Sequence, residues 1–164
     1  MAVSSVLSET RPPWVWRGIA AGVLGGAVVA VFFFVIDWLA GRPFWTPHAL
    51  GSALFLAESV DPTATPDAIL IVAYSLVHGV LFTAFAVPAA SEVQTRADAM
   101  KSPGSAVVLA ALFFSAFEIV FLVLGQLFFE GLIGTLGVAR VTIANMLAAA
   151  AMAGFLWTRT RRTA

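Results

Sequence analysis

The stretch 104–130, GSAVVLAALFFSAFEIVFLVLGQLFFE, constrains this chain more than any other. It is 27 residues long and almost wholly apolar. That is enough to cross the hydrocarbon core of a bilayer with some tilt. Ser102-Pro103 precedes it, a serine N-cap followed by proline at the first helical position. Glu118 stands in its middle. A carboxylate at that depth is costly unless protein or water supplies a partner. Ser115, Glu118, Leu122 and Gln126 follow helical spacing, with Gly125 beside them. They make one semi-polar stripe, which other helices must cover.

Composition says what the other helices are. Of 164 residues 60% are hydrophobic and 11% charged, and the mean hydropathy is +0.96. Soluble domains are nearer half apolar. Net charge is zero with histidine neutral, so there is no basic face for nucleic acid. The absence of cysteine removes disulfides, thiolate catalysis and cysteine-based metal sites together. The expected fold is all-α: a polytopic membrane protein, an antiparallel bundle of four transmembrane helices with a short interfacial helix after the first span. No linker is long enough to divide it into two domains.

Residues 1–13 form a polar tail ending in a proline pair. The run after it is too long for a signal-peptide core and lacks an A-x-A site, so a retained helix is expected. The spans are expected at about 14–40, 67–90, 104–130 and 138–157, within a transmembrane domain of 14–158, followed by a basic tail at 159–164. Gly18, Gly22 and Gly26 give the first span two overlapping G-x-x-x-G units. These leave a smooth strip where another backbone can approach, within the chain or in a second copy.

The connection 41–66 is expected on the outer side. Thr46-Pro47 reads as a helix start, and Leu50, Leu54 and Phe55 then recur at helical spacing. This predicts a short helix at the membrane surface, apolar side toward lipid. His48, in its first turn, is expected to be solvated. Thr65-Pro66 repeats the start for the second span, and 91–103 is expected as a solvated turn. The GLIGTLG segment at 131–137 is expected as a tight hairpin.

Charge orients the bundle. Arg11, Arg17, Arg96, Lys101, Arg159, Arg161 and Arg162 fall on one side, Arg42 and Arg140 on the other. Seven against two places both termini in the cytoplasm of a multi-pass inner-membrane protein. Trp14, Trp16 and Trp157 then lie at the inner interface, Trp38 and Trp45 at the outer one.

Depth sorts the polar residues. At 1.5 Å per residue, Glu118 lies roughly 18 Å, His78 about 16 Å and Asn145 about 15 Å inward from the outer ends of their helices. Tyr74 and Ser75 share the His78 face, and Ser115 the Glu118 face. A midplane cluster of His78, Glu118, Asn145, Ser115, Tyr74 and Ser75 is therefore expected, with His78 and Glu118 in contact. Asp37, Gln126, Glu130 and Arg140 form an outer layer within about 10 Å of the helix ends. There Asp37–Arg140 is the natural ion pair and Arg42 the competitor.

These residues bear on three functional classes. A His–Glu contact can lock helix register. It can also carry a proton, because histidine titrates near neutrality and burial in lipid raises a carboxylate toward it. Two ligands are too few for a tight metal site, one intramembrane histidine cannot make a bis-histidine haem, and no nucleophile elbow supports a hydrolase. No metal, cofactor or enzymatic activity is expected. Minimal loops and small-residue helix faces favour an accessory or interaction subunit, with a membrane protein partner or a second copy. The alternative is a proton-linked carrier, or a binder of a lipophilic, quinone-like ligand at the His78/Glu118 layer. A closed, dry layer fits the first; a pocket reaching it fits the second.

The order GRPFWTPHALGSALF after a glycine-rich span, followed by an apolar YSLVHG, resembles small uncharacterised bacterial four-helix inner-membrane proteins. The resemblance rests on Asp37, Gly41–Pro43, Thr46-Pro47 and Leu50-Gly51. It implies a fold and no site residues.

Overall fold

The computed structural model describes residues 12–58, 63–128 and 136–161. Among them are five α-helices: α1 Pro13–Leu39, α2 Trp45–Leu56, α3 Ala68–Thr95, α4 Pro103–Phe128 and α5 Val138–Arg161, with a 3-10 turn at Ala99–Lys101. The chain is all-α, and α1, α3, α4 and α5 are long and apolar enough to cross a membrane. The N-terminal tail, Glu130 and most of the 131–137 hairpin lie outside the described residues, as do Arg11 and Arg162.

Local chemistry sets the helix ends. Pro13 opens α1 where a missing N–H costs nothing. Its C-terminus closes in a Schellman arrangement around Gly41, whose φ of 72° suits glycine. The Gly41 N–H donates to the Trp38 carbonyl and the Arg42 N–H to the Asp37 carbonyl, each at 3.0 Å. Helix α2 starts at Trp45, not at the Thr46-Pro47 pair, and Phe44 takes a left-handed conformation to turn the chain into it. Helix α3 starts two residues beyond Thr65-Pro66, because the Asp67 carboxylate accepts from the Ile69 N–H at 2.7 Å and makes the better cap. It runs on to Thr95, so the first five residues of the expected 91–103 turn are helix. Pro88 does not end it, since the Ala89, Ala90 and Glu92 that follow are good helix formers. Ser102 caps α4 by accepting from the Ser105 N–H at 3.3 Å.

Packing follows side-chain size. Helix α1 lies against α3 and α5, α4 against α5, and α2 across α3. At Gly18 and Gly22 an added Cβ would come within 2.5 Å of the Cα atoms of Val87 and Thr83, so α1 and α3 touch backbone to backbone. At Gly25 the space a Cβ would need is filled instead by the Met152 side chain of α5. Ala144, Ala148, Ala149 and Ala153 of α5 are fully buried, which brings that helix into the centre. Helices α3 and α4 meet differently. Their rings touch, Phe82 with Phe117 at 4.5 Å between centroids and Phe85 with Phe117 at 5.8 Å, and the backbones stay apart. Outward positions such as Val72, Leu76, Val80, Leu112, Ile119 and Leu127 are exposed, a surface costly in water and costless in hydrocarbon.

Helix α2 packs polar and small residues against the rest of the protein. Trp45, Thr46, His48, Ala49, Gly51 and Ser52 are buried, and an added Cβ on Gly51 would come 2.7 Å from the Leu70 carbonyl oxygen. Its Phe55 and Leu56 are exposed.

Candidate functional site

The midplane polar residues divide into two groups. Glu118 accepts from Asn145 Nδ2 at 3.0 Å and from Thr142 Oγ1 at 3.3 Å. Glu118 of α4 is thus satisfied by α5, in a half-buried network of neutral donors on one carboxylate. His78 lies elsewhere. Its ring stacks between Tyr74 at 5.7 Å and Phe82 at 4.7 Å along α3 and rests on Gly26 of α1, whose main chain is close enough to interact with it. Its Nε2 is buried and makes no hydrogen bond of ordinary geometry. The expected His78–Glu118 contact is therefore not formed. Equal depth placed both residues in one layer, but the Phe82–Phe117 contact holds α3 from α4 and the carboxylate turns toward α5.

The remaining members add no hydrogen bond to either group. Ser115 and Ser75 are exposed, and Ser75 Oγ donates within its own helix to the Ile71 carbonyl at 2.7 Å. Tyr74 is half-buried, and no hydrogen bond joins its hydroxyl to another described residue.

At the other end, Asp37 is buried, at 2% exposure, and is not paired with Arg140. Its Oδ2 accepts from the Thr46 N–H at 2.7 Å and its Oδ1 from Thr46 Oγ1 at 2.8 Å. One of the orphan N–H groups opening α2 is met this way, and a negative charge sits at the positive end of that helix. The competing Arg42 does not bind Asp37 either; its guanidinium lies over the Trp45 ring at 4.2 Å. Arg140 and Gln126 are exposed. His48, expected in solvent, is buried, and its Nδ1 accepts from the Asp67 N–H at 3.1 Å. That bond ties α2 to the start of α3 and requires the ring proton on Nε2.

The separation of α3 from α4 leaves a cavity of about 660 Å³. All five helices and Leu136 contribute to its wall, which is mostly valine, leucine, isoleucine and phenylalanine. The polar side chains in the wall are Thr46, Tyr74, Ser75, His78 and Asn145. Ligand pockets have this size and composition: apolar walls with a few orienting polar groups. The sequence carried a partial signal in Tyr74, His78 and Phe82, spaced by four and so stacked on one face of α3. It carried none for Phe117, which is one of many apolar residues in its helix, nor for Gly79, which lines the cavity with open space where a Cβ would stand. Among the described residues no three potential metal ligands come together.

No protein-family model, curated protein or solved structure matches the chain.

Proposed function

We propose that this is a small multi-pass membrane protein that holds a lipophilic molecule in the cleft between α3 and α4. In this reading α1, α3, α4 and α5 cross the bilayer in alternating directions with both termini in the cytoplasm. Reporter fusions after Glu92 and at the C-terminus then give cytoplasmic signals, and one near Asp61 an external signal.

The cavity is the observation that carries the reading, and it favours ligand binding over an accessory subunit with a closed interior. A void of about 660 Å³ forfeits dispersion contacts along its whole lining, which an apolar guest restores. His78 Nε2, which makes no hydrogen bond of ordinary geometry, gives such a guest a polar point of attachment, at a position where an unmade hydrogen bond costs about 1–3 kcal/mol. Proton coupling through a His–Glu pair has no support in the geometry, because Glu118 is committed to Asn145 and Thr142.

The test is purification of the full chain from its own membrane in a mild neutral detergent, then organic extraction and mass spectrometry. The reading expects one molecular species in near-stoichiometric amount, enriched far above its share of the bulk lipid. An extract with the composition of the bulk membrane would sink it.

A further inference from the structure

Beside the large cavity lies a second hollow of a different character. Phe33, Thr46 and Leu136 line both the cavity and this smaller hollow of about 370 Å³. Asp37, Arg42, Trp45 and Arg140 complete the polar part of the smaller wall. Among the described residues of this wall, two guanidinium groups accompany one carboxylate. The carboxylate is already used, since both of its oxygens accept from Thr46. The guanidinium groups are not used in that way: neither Arg42 nor Arg140 forms an ion pair or hydrogen bond through its side chain with another described residue. Trp45 Nε1 is a further donor, buried without a partner in a residue only 3% exposed. Arg140 lies in the first turn of α5, where the helix dipole adds positive potential. The carbonyls ending α1 on the same wall are closed by the Gly41 and Arg42 N–H groups. Among the described residues, donors without a partner in the protein and positive charge thus collect at one end of an apolar chamber.

Resting on the ligand-binding reading above, we infer that the guest is an anionic amphiphile. Its single apolar chain fills the large cavity, and its carboxylate or phosphate head lies in the smaller hollow against Arg42 and Arg140, with Phe33 and Leu136 at the junction. Arginine suits this role because its planar fork meets two oxygens of one head group.

Four probes separate the contributions: palmitate, hexadecyl phosphate, hexadecanol and inorganic phosphate. Each is titrated onto the full-length protein in dodecyl maltoside and the bound mass is read by native mass spectrometry. The inference expects palmitate or hexadecyl phosphate to bind at least tenfold more tightly than hexadecanol, and inorganic phosphate alone not to be retained. Whichever of the two anions binds better identifies the head. Arg140→Gln, at an exposed position, weakens the anionic probe about tenfold, the expectation for one charge-assisted bond; it leaves hexadecanol unchanged, and Arg140→Lys restores part of the loss. Arg42→Gln acts in the same direction. Equal binding of palmitate and hexadecanol, or indifference of both anions to Arg140→Gln, would overturn the head-group site while leaving the ligand-binding reading intact. Retention of inorganic phosphate as strongly as of hexadecyl phosphate would overturn the amphiphile. Failure of every chain-bearing probe would overturn both readings.

Discussion

Helix α3 has two seams, and they are built from opposite materials. Toward α1 it meets glycine, and at Gly18 and Gly22 the main chains come so close that no Cβ fits. Toward α4 it meets phenylalanine, and the Phe82–Phe117 contact keeps the helices a ring apart. Hydrophobicity does not distinguish the two faces, since both are apolar. Side-chain size does. In a lipid-like environment helices gain nothing by hiding apolar surface from one another, so close packing has to supply the attraction. The glycine seam supplies it and closes. The phenylalanine seam leaves a space of about 660 Å³.

The same substitution placed on each seam tests that contrast. Gly22→Leu drives a side chain into the Thr83 backbone, 2.5 Å from where the Cβ would sit. It is expected to cost about 3 kcal/mol or more, at the upper end of overpacking effects, seen as a large loss of thermal stability in detergent. A Gly22→Leu variant as stable as the parent would refute the closed seam.

Next in size is the corner that holds α2 over the cleft. Asp37→Ala leaves the buried Thr46 N–H and hydroxyl without their acceptor and is expected to cost about 1–3 kcal/mol. Arg140→Ala, at a residue with no ion pair to Asp37, changes stability by about 0.5 kcal/mol or less. A double-mutant cycle on the two positions should be additive, and strong coupling would restore the ion pair that the geometry rejects.

The α4–α5 network separates a polar contact from a titrating one. Glu118→Leu strands Asn145 Nδ2 and is expected to cost about 1–3 kcal/mol. Glu118→Gln keeps an acceptor for Asn145, and its amide can donate to the Thr142 hydroxyl, so its cost stays below about 1 kcal/mol. Ligand retention should be unchanged in Glu118→Gln. Loss of retention there would bring the carboxylate back into the site.

Gly79→Leu is the change expected to cost no stability. An added Cβ at Gly79 meets nothing within 4 Å, and replacing glycine in a helix interior gains up to about 1 kcal/mol. The variant should fold at least as well as the parent while its side chain occupies the cleft.

Much of the fold was legible because apolar length and capping residues are local signals. The four long helices, the Ser102 cap and the glycine strip can all be read from residues near one another in sequence. The site was legible only in part. Depth along a helix can be counted, and it put Glu118 and Asn145 in one layer, where the two side chains bond. Depth says nothing of rotation about the helix axis. Glu118 turns to α5 and His78 to α1 because Phe82 and Phe117 stand between α3 and α4, and that depends on packing across 35 residues of chain. His48 illustrates the same limit. Nothing local separates a solvated histidine from one that caps the next helix at Asp67.

The central claim is that the phenylalanine seam is open and occupied. Native mass spectrometry of the intact protein released from lipid nanodiscs, wild type beside Gly79→Leu, measures this directly. The account predicts one bound lipophilic molecule per chain in the wild type and none in the variant, with both equally folded. The same bound mass on both proteins, or on neither, would contradict it.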